Sequence, residues 1–479
     1  MFLETLNLIL QKVRFFVLLK NVSHFISTFV RINHSKSQNP NMSDSTKNQL
    51  KKSLGLSFNI AVLIGGTIGV GILRTPGNIA ELLNNYWLIL ASWLFGGLYV
   101  LLGANSYAEL ATMLPKAGGS YNYIKRAFGE YAGFLSGWFD YITNAIPPAF
   151  YCIVISEYMI ILFPALANYS TVMAISLLAA FVLIHLSGVK NGSVIQQITS
   201  FLKVICFVAL VVACFMYSGV KIPPIKTDNS FFQIGLVFGF FKSLQLIIGT
   251  YNGWNAVCFF AEENDDPGKN IPKSLYSGVL LVVAIYVLVN AAFFHVLPIE
   301  TLAKSNLAAA DVAKILFGEN GAIIVTIISI FSLISILNAF MMIPPRILYG
   351  LSRDGFFIEK GTNVNKGGTP IVALLVSSFF SLLLIIFVGS FEVLFGFAAF
   401  ISIIVWGLAY FSLLKLRTSE PDLPRPYRSF WYPWTTIIAI IASIALLIGF
   451  IYSDPKSFIV ILGITVVSYP LFLALRKKL

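Results

Sequence analysis

Two stretches of this sequence hold residues that could bind a small molecule with their backbone alone. "LIGGTIGVGILRTPG" (63–77) carries five glycines and a proline, and "IIGTYNGWNAVCFF" (247–260) carries Gly249, Thr250, Tyr251, Asn252 and Gly253 inside an apolar run. Glycine weakens a helix by about 1 kcal/mol relative to alanine, so both runs are expected to unwind, the first around residues 66–71. In lipid every backbone N–H and C=O needs a partner, and unwound chain persists only where protein or a water-filled cavity surrounds it. The first break, with Gly69 in it, is expected to free amides at Val70 and Gly71. They stand at the positive end of a half-helix, which attracts an anion. Carbonyls near Gly66–Thr67 and Gly249–Tyr251 are acceptors suited to a cation. An anion pocket beside a cation pocket fits a zwitterion, of which an α-amino acid is the obvious case. The same glycines would also permit close helix packing through small residues.

Lys203, in "SFLKVICFVALVV", is the most informative charge. A lysine inside a span is costly unless it is paired or faces water, and it marks a functional position by default; the alternative is snorkelling toward an interface. Other ionisable residues point to no reaction. Cys152, Cys206, Cys214 and Cys258 sit in apolar runs without metal-type spacing, as small buried hydrophobes do. His185 and His295 are isolated and read as solvated span ends. Glu109, Glu262 and Glu263 close spans two and six, where a structural or gating role is expected. Arg353 and Asp354 read as an exposed pair; Asp140 and Glu157 in span three cannot be oriented. "GTIGVG" lacks the lysine–serine ending of a nucleotide loop. No metal or cofactor is expected, and no cluster of His, Asp, Glu or Cys suggests an enzyme.

The elements that must position these residues are membrane spans. The 479 residues are 57% hydrophobic and 11% charged, against roughly 25% charged in soluble domains, and mean hydropathy is +0.82. Apolar runs of about 20 residues, enough to cross a bilayer, recur at 56–80, 85–110, 131–163, 171–187, 195–217, 233–260, 273–297, 320–349, 370–388, 392–414, 434–452 and 457–475. A β-barrel would show short alternating segments instead. The expected fold is an all-α integral membrane protein of about twelve transmembrane helices. Interrupted spans one and six occupy matching places in two five-span halves, the arrangement of an inverted-repeat transporter. The halves are placed at 53–217 and 233–416, followed by two spans at 434–475. With the N-terminus inside, the inner loops hold about twenty lysines and arginines and the outer ones about six, so both termini are expected in the cytoplasm. The net charge of +12 therefore reads as membrane orientation, not nucleic-acid binding. The segment 1–52 is expected to be cytoplasmic. Its first 41 residues form neither a clean span nor a signal peptide, and translation is expected to begin at Met42.

Six motifs in order at span ends carry a resemblance: "GVGILRTPG" (69–77), "SYAELATMLPKAGGSYNYIKRAFGEYAGFLSGW" (106–138), "TYNGWN" (250–255), "EENDDPGKNIPKS" (262–274), "PRILYGLSRDGF" (345–356) and "RPYRSFWYPW" (425–434). From about Ser53 to about Tyr469 the chain resembles the amino acid–polyamine–organocation superfamily, within it the L-type amino-acid transporter branch and its bacterial relatives. The resemblance implies two inverted five-helix repeats plus two further helices, with helices one and six discontinuous. It places the substrate carboxylate on the backbone of Thr67, Val70 and Gly71, and the ammonium against carbonyls near Thr67, Gly249 and Asn252. Asn255 and Asn338 match supporting positions, or else tie helices together through their amides. Lys203 matches a lysine that stands where sodium sits in ion-coupled cousins, which implies sodium-independent transport. Gly249 replaces the large aromatic gate of many relatives; Tyr251 or a nearby phenylalanine would then supply a gate, and the pocket would be roomier. Val70 replaces a small polar residue, which leaves its backbone for the carboxylate.

The expected function is secondary transport of neutral amino acids by alternating access, as exchanger or proton symporter, across the cell membrane. Asn252 is neutral where some relatives carry an acid; a cationic amino acid or polyamine is the alternative substrate. Some eukaryotic relatives pair with a single-span glycoprotein through a cysteine between spans three and four. The corresponding residues 164–170 contain none, so no such partner is expected.

Overall fold

Helix α1 (Leu56–Thr67) and helix α2 (Val70–Leu83) divide the first span in the middle. The computed structural model describes residues 49–218, 234–305, 307–387 and 391–476; the segment 1–41 and the expected start at Met42 lie outside them. Helix α3 (Tyr86–Met113) is the second span. The third is α5 (Glu130–Ala145) with α6 (Pro147–Leu162), preceded by the short α4 (Ser120–Phe128). Helices α7 (Ser170–Leu186) and α8 (Val189–Met216) are spans four and five. Span six is α9 (Ile234–Tyr251) followed by a tight 3-10 segment, Ala256–Glu263. Helix α10 (Pro267–Val296) is span seven, the connecting α11 (Ala308–Phe317) follows, and α12 (Glu319–Arg353) is span eight. Helices α13 (Ile371–Phe387), α14 (Phe391–Ser419), α15 (Trp434–Ser453) and α16 (Pro455–Arg476) complete the bundle. Among the described residues ten stretches are long and apolar enough to cross a membrane, and the shorter α13 and the interrupted span six stand where the other two spans are expected.

Local chemistry sets the ends of these helices. Asn84 takes the left-handed conformation that closes α2 (φ 41°), and the Asn85 side chain accepts from the Leu88 N–H to open α3; both are ordinary roles for asparagine. Asp266 caps α10 by accepting from the Lys269 N–H, with Pro267 in the first turn where its missing N–H costs nothing.

Burial ranks the spans. The most apolar window of span one is 82% buried within the protein and that of α16 is 17%. Span one is therefore at the centre, where α8, α9, α10 and α12 pack around it, and α16 lies at the periphery with an apolar surface suited to lipid.

Candidate functional site

The break in span one is shorter than the glycine pattern suggested. Helix α1 continues through Thr67, only Ile68 and Gly69 are extended, and α2 resumes at Val70. Gly65 and Gly71 remain helical and serve close packing: a Cβ on Gly71 would fall 2.7 Å from the Thr250 hydroxyl, and one on Gly65 would overlap Gln196, Ser200 and Ser335. Unwinding and small-residue packing thus operate side by side. The amides of the first turn of α2 have no intrahelical acceptor, and Gly69 provides no side-chain cap. Lys203, 1% exposed, reaches from α8 to this break. Its ammonium donates to the Gly65 carbonyl at 3.0 Å and to the Ile68 carbonyl. The Lys203 nitrogen is anchored on two carbonyls inside the protein and does not snorkel.

Span six turns at residues 252–255. Gly253 has φ +106°, and a Cβ there would fall 2.7 Å from the carbonyl carbon of Gly66, so the two interrupted spans touch backbone to backbone. Gly253→Ala imposes a strained φ and separates the breaks, at roughly 1–3 kcal/mol, and is expected to lower transport about tenfold. Gly463→Ala in α16, where a Cβ meets nothing within 4 Å, is the neutral control; initial uptake rates of the two variants check this. Tyr286 on α10 ties both breaks. Its buried hydroxyl lies 2.8 Å from the Thr67 carbonyl and 3.0 Å from the Thr250 carbonyl, sharing one proton between them.

Between these breaks lies a cavity lined by Thr67, Gly69 and Gly71 of span one and Gly249, Thr250 and Asn252 of span six. Span three adds Pro147, Phe150 and Tyr151, while α12 and α14 add Ile336, Phe340, Ala398 and Ala399. The cavity volume is about 20 Å³, room for little more than one water, so admitting an amino acid requires the walls to part. The aromatic wall of the site comes from Phe150, Tyr151 and Phe340. Three expected site residues stand elsewhere. Tyr251 is fully buried, with its hydroxyl donating to the Trp93 carbonyl at 3.2 Å and its ring against Tyr286. Asn338 joins α12 to α8, donating to the Gly192 carbonyl at 3.0 Å and the Gln196 side-chain oxygen at 2.7 Å. Asn255 is buried behind the turn, its carbonyl accepting from the Cys258 N–H at 2.9 Å. Val70 contributes the start of α2.

One residue pair outside the sequence reading signals the wall from span three. Pro147 and Pro148 remove two N–H donors where α5 meets α6. The Ser381 hydroxyl of α13 donates to the Ala145 carbonyl there at 3.1 Å. The resulting joint carries Phe150 and Tyr151, and "IPPAF" in a span was its trace.

The charged residues near the span ends form closed contacts. Glu263 and Arg346, 1% and 2% exposed, form a bidentate pair in which Nε and Nη2 of one guanidinium edge donate to the two carboxylate oxygens, the Nη2 contact at 2.8 Å. Arg346 also donates to the Met342 carbonyl and stacks over Phe260 at 4.3 Å. The Ser53 and Leu54 N–H groups donate to the Glu263 carbonyl at 2.9 and 3.0 Å. Glu109 is held by Arg417, Arg425 and the Ser429 N–H, which fixes α3 to the chain between α14 and α15. Arg353 and Asp354 are not a pair. Arg353 donates to Glu262 at 2.8 Å and Asp354 meets Lys125 at 2.8 Å, because neighbours on a helix end point to different elements. Burial works against ionised Asp354, but bonds from Lys125 and Tyr121 outweigh it and hold its carboxyl below the ordinary value. Glu157 pairs with Arg74 at 3.5 Å at the opposite end of the bundle. His185, expected in solvent, is 3% exposed. It lines a second small cavity with Arg346 and Thr369, since Gly192 leaves room for its ring.

Residues 54–468 match the family model described as amino acid permease. The chain is 28% identical to the serine/threonine exchanger SteT of Bacillus subtilis over 446 residues, 90% of this chain and 98% of that protein. It is 30% identical over 427 residues to large neutral amino acids transporter small subunit 2 of Mus musculus, covering 85% and 77% of the two chains. The b(0,+)-type amino acid transporter 1 of Mus musculus is 27% identical over 421 residues, 85% and 84% of the two chains.

Proposed function

The chain belongs to the amino acid permease family, and from that premise we propose that it carries neutral α-amino acids across the cell membrane, independently of sodium, by alternating access. The observation that carries this reading is the cavity between the two breaks. Amides at the start of α2, near Val70 and Gly71, suit a carboxylate, and the carbonyls of Thr67, Gly249 and Asn252 suit an ammonium. Among the described residues lining it, none is acidic or basic. A cationic side chain would therefore enter without a counter-charge, which supports neutral substrates, and Phe150, Ile336 and Phe340 favour an apolar or small polar side chain. Lys203 supports sodium independence, because its ammonium already occupies the carbonyls of Gly65 and Ile68 that a monovalent cation would need.

The two five-span repeats at 53–217 and 233–416 move against each other around the site, with spans at 434–475 outside the repeats and both termini in the cytoplasm. On this orientation Glu263–Arg346 and Glu262–Arg353 close the inner mouth. The chain works without a glycoprotein partner, a reading supported by residues 163–169, between α6 and α7, which lack a cysteine.

The test is uptake by purified protein in liposomes preloaded with unlabelled serine, in sodium-free buffer. Labelled neutral amino acids are expected to enter, with excess arginine or putrescine failing to compete. Sodium-dependent uptake would overturn the sodium reading, equal competition by arginine would overturn the substrate class, and no uptake of any amino acid would overturn the function.

A further inference from the structure

Asp140 is a carboxyl at membrane depth that the substrate cavity does not use. It lies ten residues into span three, ~15 Å along the helix, and its residue is 4% exposed. Among the described residues no lysine, arginine or histidine nitrogen lies within 4.0 Å of it, and its Oδ2 has no hydrogen-bond partner. The groups that act on it are neutral: the Ser120 hydroxyl of α4 bonds to it, and Tyr107 of α3, Tyr123 of α4 and the Cys258 thiol of the inner half of span six lie within electrostatic reach. The Tyr107 and Ser120 hydroxyls also meet each other at 2.9 Å. The nearest elements offer no counter-charge. Arg346 and Arg353 of α12 are engaged by Glu263 and Glu262. Arg417 of α14 holds Glu109 and Lys125 of α4 holds Asp354. Helix α14 otherwise brings the Tyr410 ring to Tyr107, α16 sets Tyr469 against Tyr131, and α13 has no ionisable side chain.

An ionised carboxylate without a cation or a full set of donors is disfavoured in such surroundings, and an intramembrane acid is a functional candidate by default. The Cys258 thiol, within electrostatic reach of Asp140, belongs to the 3-10 segment Ala256–Glu263, part of the interrupted span that alternating access displaces. We propose that Asp140 is a proton-binding site that governs closure of the transporter: neutral in the closed arrangement, and ionised when displacement of the inner half of span six admits water. The inference rests on the reading that the chain works by alternating access. Every crossing passes through a closed form, loaded or empty, so the proton enters as the inner mouth closes and leaves when that mouth opens again. The proton exchanges with the inner solution alone and is not accumulated across the membrane. The sign follows from linkage. The closed form holds the proton more tightly than the open form, so raising pH disfavours closure and slows exchange.

The test compares wild type, Asp140→Asn and Asp140→Glu in liposomes, with equal pH on both sides. Wild-type exchange is expected to fall with rising pH, by as much as about tenfold per unit where one proton is released. Asp140→Asn, which imitates the neutral acid, should exchange with a flat profile, and Asp140→Glu should restore the slope. Infrared spectra of the same proteins in lipid provide an arm that needs no substrate. A protonated carboxyl band that disappears with rising pH in wild type should be missing from Asp140→Asn. An unchanged pH slope, or an unchanged band, in Asp140→Asn overturns the proposal. Absence of uptake by wild type would overturn the transport function instead, and the infrared arm would still decide whether Asp140 holds a proton.

Discussion

Lys203→Met is expected to lower exchange about a hundredfold while leaving the protein folded. The ammonium is the donor for the Gly65 carbonyl in the last turn of α1 and for the carbonyl of Ile68, the first of the two extended residues of the break. A buried carbonyl deprived of its donor costs about 1–3 kcal/mol, so two of them amount to roughly 2–6 kcal/mol. Part of that is recovered because methionine removes a charge from an apolar interior. A net penalty near 3 kcal/mol, borne by the closed form, corresponds to about a hundredfold. The variant should also melt at lower temperature, since α1 and α8 lose their tie. Near-normal exchange and an unshifted melting temperature would sink this account of the break. A variant that is inactive but melts as wild type does would assign Lys203 to substrate positioning instead of holding the break.

Glycine spacing placed both interruptions because an interrupted apolar run has few explanations in lipid. It overstated the first, where Gly65 and Gly71 are needed for contact with neighbouring helices rather than for unwinding. Lys203 was legible since a single charge in an apolar run must be satisfied somewhere nearby. The walls of the cavity were far less so. Phe150, Phe340 and Ile336 are indistinguishable in sequence from dozens of apolar residues facing lipid, and only the fold says which face is inward. Tyr286 was silent for the same reason: one tyrosine in an apolar helix gives no sign that its hydroxyl ends at two carbonyls. Tyr251 and Asn338 were drawn toward the site by nearness in sequence or by likeness to relatives, yet their side chains satisfy neighbouring helices. Arg346 belonged among the inner-loop charges by position, but burial beside Glu263 gives it a different task.

Arg346→Met tests that task. The Glu263 residue joins three pieces that must separate if the mouth at this end opens: α12 through the guanidinium, the lead into α1 through Ser53 and Leu54, and the 3-10 segment to which it belongs. Removing one partner of a buried pair costs about 3–5 kcal/mol, because a charge is left uncompensated, whereas replacing both with apolar residues is often neutral. A soluble domain would take that cost as instability. This bundle has another outlet, since opening the mouth hydrates Glu263. The expected result is therefore a shift toward the open form, read by Cys258, which is fully buried in the same segment. With Cys152, Cys206 and Cys214 replaced by serine, maleimide should label Cys258 at least about tenfold faster in Arg346→Met than in the parent. Arg346→Met with Glu263→Leu should return labelling toward the parent rate. Faster labelling in the single variant with no recovery in the double would mean that Arg346 acts through Met342 and Phe260. Unchanged labelling in both would remove the ion pair from the gate altogether.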